Sequence, residues 1–197
     1  MMSANHSDYI FFINNYPSVI HMDWYDTIIG INHKETYTLK KSIDKKNMHR
    51  ILQYYLFKKK YLPNFFQFQE KYNWYRLILN INKVMLCAAI IELKCPSYLF
   101  IKDYADKLKD YLGEENFKQL SFIYNTYTPC LKKQHPFFGC ENFIFDVTEY
   151  SSRLFNSIII DDQYSFLAKI ALPMTDNIID TELSVHDLLR IQKFIYG

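Results

Sequence analysis

Six histidines, four cysteines and a few adjacent carboxylates are the side chains of this sequence best suited to hold a metal or move a proton. The histidines (His6, His21, His33, His49, His135, His186) never recur four residues from one another or from a cysteine. A zinc site would therefore need ligands from unrelated segments. Cys130 and Cys140 flank His135, but their nine intervening residues match no ligand rhythm, and packed or idle thiols are expected. Glu114-Glu115 and Asp161-Asp162 stand at expected helix starts, where they complement the positive end of the helix dipole without any acid–base role. A Gly-rich phosphate loop, HExxH, CxxC and Gly-x-Ser-x-Gly are all missing from the sequence. Lys58-Lys59-Lys60 is read as a solvated helix end rather than a nucleic-acid contact. These residues point to a protein that binds, with no catalytic residue, no metal and no cofactor expected.

The elements that would position them are helical. The chain has 197 residues, 49% apolar and 18% aromatic, with only four glycines, which favours helices joined by short links in one sizeable or two small domains. A net charge of +2 gives no global field to steer it to nucleic acid or membrane. Scattered cysteines and the lack of a leader pattern lead us to expect reduced thiols, in cytosol or nucleus. The chain is organised around Trp74 to Lys94, WYRLILNINKVMLCAAIIELK, in which Val84 to Ile91 is apolar on every side, as in a helix enclosed by others. That run is too short to cross a bilayer and is fenced by Lys83, Glu92 and Lys94. Pro96 then stops it.

Along the chain, Asp8 to Asn15 is expected to form a short helix closed by Pro17, and residues 23–41 a helix weakened by Gly30. Asn47 is expected to cap a helix to Leu62 with Ile51, Leu56 and one of Tyr54 and Tyr55 facing inward, followed by an aromatic link from Phe65 to Tyr72. Ile101, Ala105, Leu108 and Leu112 predict a helix from Tyr98 to Leu112, punctuated by Gly113. Phe117, Leu120, Tyr124 and Tyr127 mark the next helix, stopped by Pro129; its aromatics are read as core rather than docking surface. A turn at residues 134–139 precedes a long helix from Glu141 to Ile160. Another helix is kinked or shortened by Pro173, and Ser184 to Asp187 caps a last one.

Five of these segments resemble the cyclin family, in particular transcriptional cyclins of the C and H type. Tyr55-Leu-Phe-Lys-Lys-Lys-Tyr61 is similar to the aromatic-basic helix of a first cyclin box, and Val84-Met-Leu-Cys-Ala-Ala-Ile-Ile-Glu-Leu-Lys94 to its small-residue helix ending in lysine. Cys130-Leu-Lys-Lys-Gln-His-Pro-Phe137 resembles the opening of a second box, Asn156 to Ala171 a later acidic and apolar segment, and Glu182-Leu-Ser-Val185 the start of a late helix. The resemblance implies an all-α, cyclin-like fold: an N-terminal segment with a docking helix at 1–46, a first cyclin box at 47–129 and an abridged second box at 130–197. It further implies a nuclear, non-enzymatic regulatory subunit that binds and activates a cyclin-dependent protein kinase in RNA polymerase II transcription, within a larger transcription complex. Direct contact with nucleic acid or membrane is not implied. The kinase-binding face would comprise Leu93, Lys94, Gln119, Leu120 and Ile123, with Leu120 standing where the family has a glutamate.

Two other readings compete with it. One is a helical cofactor- or ligand-binding enzyme of heme-oxygenase-like type, which would need a cavity lined by a histidine or by paired carboxylates. The other is a helical interaction protein that activates nothing.

Overall fold

The computed structural model describes residues 5–30, 45–125, 136–158, 163–175 and 177–196. Twelve α-helices and no strand occur among them, so the fold class is all-α as expected. The expectations placed on His33, Leu39, Tyr127, Pro129, Cys130, His135, Asp161 and Asp162 lie outside the described residues. No helix among the described residues is long and apolar enough to cross a membrane, and no three histidine, cysteine or carboxylate side chains gather there as a metal site. The chain divides into two compact units, Met1–Ile81 with Ile160–Met174, and Asn82–Ile159 with Thr175–Gly197.

In the first unit α1 (His6–Asn15) starts from a capping box. Asn5 Oδ1 accepts from the Asp8 N–H at 2.9 Å while Asp8 Oδ2 accepts from the Asn5 N–H at 3.1 Å. Pro17 falls in the 3₁₀ turn Tyr16–Ser18 that follows. Of the helix expected over 23–41, the described part up to Gly30 holds α2 (Tyr25–Ile29), which ends at Gly30 with φ +79°, a left-handed cap that costs glycine little, and the remainder lies outside the described residues. Helix α3 (Lys45–Lys58) begins before Asn47, so that residue lies within the helix and is not its cap. It also ends short of Leu62. Lys60 turns left-handed at φ +57°, its N–H bonds Phe57 O at 3.0 Å, and Tyr61 N–H bonds Leu56 O at 3.0 Å, a Schellman closure made with lysine in place of glycine. Met48, Leu52 and Leu56 face inward, whereas Tyr54 faces water.

The expected aromatic link is a helix. Asn64 and Gln67 exchange side-chain and backbone hydrogen bonds at 2.9 Å, opening α4 (Phe65–Glu70), and α5 (Tyr72–Leu79) follows. At its end, Asn80 breaks what the sequence suggested was one column.

A distant segment completes this unit. Helix α11 (Gln163–Lys169) and the turn after it offer carbonyls that have no partner within a helix. Three donors from the N-terminal region take them: Tyr16 OH donates to Leu167 O at 2.8 Å, His21 N–H to Ile170 O at 2.8 Å and Trp24 Nε1 to Leu172 O at 2.9 Å. The Met174 N–H adds a bond to Asp23 Oδ2 at 3.1 Å, and Phe166 meets Trp24 and Tyr61 with ring centroids 6.4 and 4.7 Å apart. Burial pushes the Tyr16 hydroxyl well above its ordinary value, so it stays a donor.

The second unit carries most of α6 (Ile81–Leu93). Every residue from Val84 to Ile91 is at most 2% exposed, and the helix closes at Lys94 in a left-handed conformation, φ +49°. The helix expected from Tyr98 to Leu112 is broken in two at Ile101, whose backbone is extended, giving α7 (Ser97–Phe100) and α8 (Lys102–Leu112). Gly113 at φ +91° then turns the chain into α9 (Glu114–Tyr124).

Helix α10 (Phe143–Ile158) packs on α8, and α9 packs on α12 (Val185–Tyr196). Ser184 and Asp187 form the expected cap of α12, the Asp187 carboxylate accepting from Ser184 N–H at 2.9 Å and Ser184 Oγ from Asp187 N–H at 3.3 Å. Before α10, Tyr98 OH accepts from Phe138 N–H at 2.7 Å, Tyr104 OH donates to Phe138 O at 3.1 Å, and Lys107 Nζ donates to Cys140 O at 2.6 Å. This clamp fixes a segment that has no helix of its own.

Tyr16→Phe removes the donor to a buried carbonyl while keeping the ring. It is expected to cost about 1–3 kcal/mol in urea unfolding with the helical circular dichroism preserved. An unchanged midpoint would contradict the stapling of α11 described above.

Candidate functional site

A cleft of about 370 Å³ opens in the first unit along α1, α4 and α5. Phe12, Phe68 and Tyr75, all nearly inaccessible to water, make its floor. Phe68 and Tyr75 stack with centroids 5.2 Å apart, and Phe12 leans on Tyr75 at 4.8 Å. The capping box of α4 sets this floor, because it starts the helix at Phe65 and so turns Phe68 inward. Tyr72, Arg76 and Leu79 come from successive turns of α5, with the Arg76 guanidinium 5.9 Å from the centre of the Tyr72 ring. From α1, Phe11 stands at the rim, 60% exposed, and Asp8 has its carboxylate engaged in the α1 cap. Beyond it Phe66, on α4, is 80% exposed.

Packed rings floor the cleft with apolar surface, and the Arg76 guanidinium lies among the residues that line it. None of the residues lining it is a histidine, cysteine or serine, and Asp8 is its single carboxylate. It therefore does not meet the requirement set for a heme-oxygenase-like site, which needed a histidine or two carboxylates.

The residues expected to bind a kinase lie in the second unit. Leu93, Leu120 and Ile123 are buried, between 0 and 3% exposed, while Lys94 and Gln119 are half-buried. Burial first, and then Cys95, pushes the Tyr124 hydroxyl up. Phe117 and Leu120 on α9 are core, as expected of that stripe, but Phe122 on the same helix is exposed. Nearby, Glu92 is 5% exposed, and no hydrogen bond or ion pair reaches it among the described residues. Burial, and then the Glu92 charge, pushes the Tyr150 hydroxyl up to about 12.

The cleft is not legible in the sequence because the aromatic Phe65 to Tyr72 stretch reads as a link. The Asn64-x-x-Gln67 pattern is the signal that would have revealed a helix start there.

Fold and cleft together define an all-helical protein with an aromatic-floored cleft and no recognisable catalytic constellation among its described residues. The sequence profile of a family described as "Type III secretion system subunit" matches residues 13–134, well over half of the chain, and the chain belongs to that family. The match runs from within α1 past the end of α9 and takes in most of the cleft. No curated protein and no solved structure matches.

This membership overturns the identification as a cyclin. With it go the cyclin boxes as an account of the fold, the cyclin-dependent kinase and transcription-complex partners, the role in RNA polymerase II transcription and the nuclear location. The kinase-binding role given to Leu93, Lys94, Gln119, Leu120 and Ile123 loses its basis with the family. A secretion subunit also leaves the heme-oxygenase-like alternative without support.

Floor and rim of the cleft should separate in their effect on stability. Phe12→Ala is expected to cost about 3–5 kcal/mol through loss of buried packing. Phe11→Ala and Phe66→Ala should each change stability by no more than about 0.5 kcal/mol. Urea unfolding of the three variants checks this, and a large loss from either exposed residue would place it in the core instead.

Proposed function

We propose that this chain is a non-catalytic subunit of a type III secretion system, which joins other subunits of the apparatus through exposed aromatic side chains. The observation that carries the reading is the surface. Seven of the 16 phenylalanines (Phe11, Phe57, Phe66, Phe100, Phe122, Phe137 and Phe145) are more than half exposed. Phenylalanine is ordinarily among the most buried residue types, and leaving it in water forgoes about 1.5–3 kcal/mol for each ring. In an assembly such rings become anchors seated in a neighbour's pockets. The family supports the same reading, since a subunit works by its contacts. Phe11 stands at the rim of a preformed receptor, the cleft whose floor is already packed before anything binds, and Phe66 lies on α4, one of the helices that build it. A rigid floor lowers the ordering cost of association.

A tagged copy of the chain, expressed at native level in a bacterium whose own copy is deleted, is expected to restore secretion and to co-purify with other components of the apparatus. Phe11→Ala with Phe66→Ala should cut both the recovered components and the secreted substrate about tenfold or more, with the chain itself still folded. Normal secretion in the deletion strain would refute the function, and full recovery of partners by the double variant would refute the role of these rings.

A further inference from the structure

The exposed side of α3 is a second feature, separate from the cleft. From Lys45 to Gln69 the sequence has six lysines and arginines and no carboxylate. The chain as a whole has 23 basic and 21 acidic residues, so outside this stretch the remaining 17 basic residues are outnumbered by the same 21 acids. The excess of positive charge is thus gathered on α3 and the two lysines that follow it.

Its geometry is that of a stripe. Met48, Leu52 and Leu56, four residues apart, lock one side of α3 into the core of the first unit. Arg50, Tyr54, Phe57 and Lys58, at offsets of four, seven and eight, occupy the opposite side and are all exposed, Tyr54 by 62% and Phe57 by 54%. Arg50 and Lys58 stand about 12 Å apart along the axis, with the two rings between them. Lys59 is occupied, its Nζ donating to Thr27 O at 2.7 Å, and Lys58 lies 5.9 Å from the Tyr55 ring. No ion pair neutralises Arg50, Lys58 or Lys60 among the described residues. The bland reading of Lys58-Lys59-Lys60 as a helix end complementing the dipole covers those lysines. It leaves Arg50 and the two outward rings without a reason.

We infer that this face of α3 docks an acidic amphipathic helix of another secretion subunit, with carboxylates seven or eight residues apart meeting Arg50 and Lys58 and an apolar pair between them covering Tyr54 and Phe57. The inference rests on the proposed function and adds to it a partner chemistry and a second surface. Charge complementarity selects the occupant. Duplex or single-stranded nucleic acid calls for a continuous track of cations along phosphates, whereas here the cations stand at the two ends of an aromatic centre. A membrane surface calls for a helix free to sink its apolar side, and the apolar side of α3 is already committed to the protein's own core.

The test uses the whole purified chain and an array of overlapping peptides covering the other subunits of the same secretion system. Bound peptides should be acidic and amphipathic. In solution their affinity should fall about tenfold or more on combining Arg50→Glu with Lys58→Glu, and severalfold on raising salt from about 50 to about 300 mM. Replacing the peptide's two acidic residues by lysine should restore binding to the reversed chain. Tyr54→Ala with Phe57→Ala, made in parallel, should weaken the same peptides without moving the urea midpoint. The inference is overturned if the array captures nothing, if charge reversal leaves affinity unchanged, or if phosphatidylglycerol vesicles or oligo-dT bind this face in place of peptides. Self-association abolished by the same reversal would also overturn it, by making a second copy the occupant. Recovery of the apparatus by the charge-reversed chain as well as by wild type defeats the α3 face alone; failure of wild type to recover it defeats the function on which the face depends.

Discussion

An eight-residue helical run with no side that tolerates water has to be enclosed all round, and Val84 to Ile91 imposes that condition on this chain. Its consequences spread to the ends of the helix. Lys94 accepts a left-handed backbone to stop it, Pro96 starts the next element, and Ile101 bends the chain so that α8 can lie alongside its neighbours. The first unit meets its own condition in a different way. There α11 arrives from far along the chain with unpaired carbonyls, and Tyr16, His21 and Trp24 bind them from the N-terminal region. Both devices use residues that must satisfy the backbone as well as fill space.

Interior and surface consequently divide the work. Aromatic residues with a polar tip, Tyr16, Trp24, Tyr98 and Tyr104, hold segments together through hydrogen bonds. Of the phenylalanines, which have no such tip, some are core and seven stand more than half in water, among them Phe57 on α3, Phe66 on α4, Phe100 on α7, Phe122 on α9 and Phe145 on α10. On the proposed function the exposed rings are the contacts with other subunits, and the α3 face adds Arg50 and Lys58 to the exposed Tyr54 and Phe57.

The sequence was most readable where a single residue decides geometry. Gly113, Pro96 and the Ser184–Asp187 cap each end or begin an element close to where the chain suggests, whereas Gly30, expected only to weaken a longer helix, ends α2. It was least readable where two signals compete. Phe65 to Tyr72 is aromatic and bounded by Pro63, so its composition reads as a link, yet the Asn64–Gln67 box starts a helix. Asn47 has a good capping side chain but lies within a helix that begins at Lys45. The resemblance to cyclins failed for a related reason. An apolar helix with small residues that ends in a lysine is what any enclosed helix closing at a charged cap looks like. Leu93, Leu120 and Ile123 were apolar at helical spacing because they are core, so their pattern spoke of packing and carried nothing about a partner. The rim of the cleft was invisible because exposure is a tertiary property: Phe66 and Phe68 differ in sequence by two positions and in the fold by their side of α4.

The central claim is that a rigid, enclosed core displays adhesive faces that are covered only on assembly. Amide hydrogen exchange, followed for the chain alone and within the secretion apparatus, tests it most directly. The account predicts that the α6 amides exchange slowest in both states, and that new protection on assembly falls on α1, α3 and α4. Fast exchange in α6, or an assembled chain whose exposed aromatic faces remain as unprotected as in isolation, would contradict it.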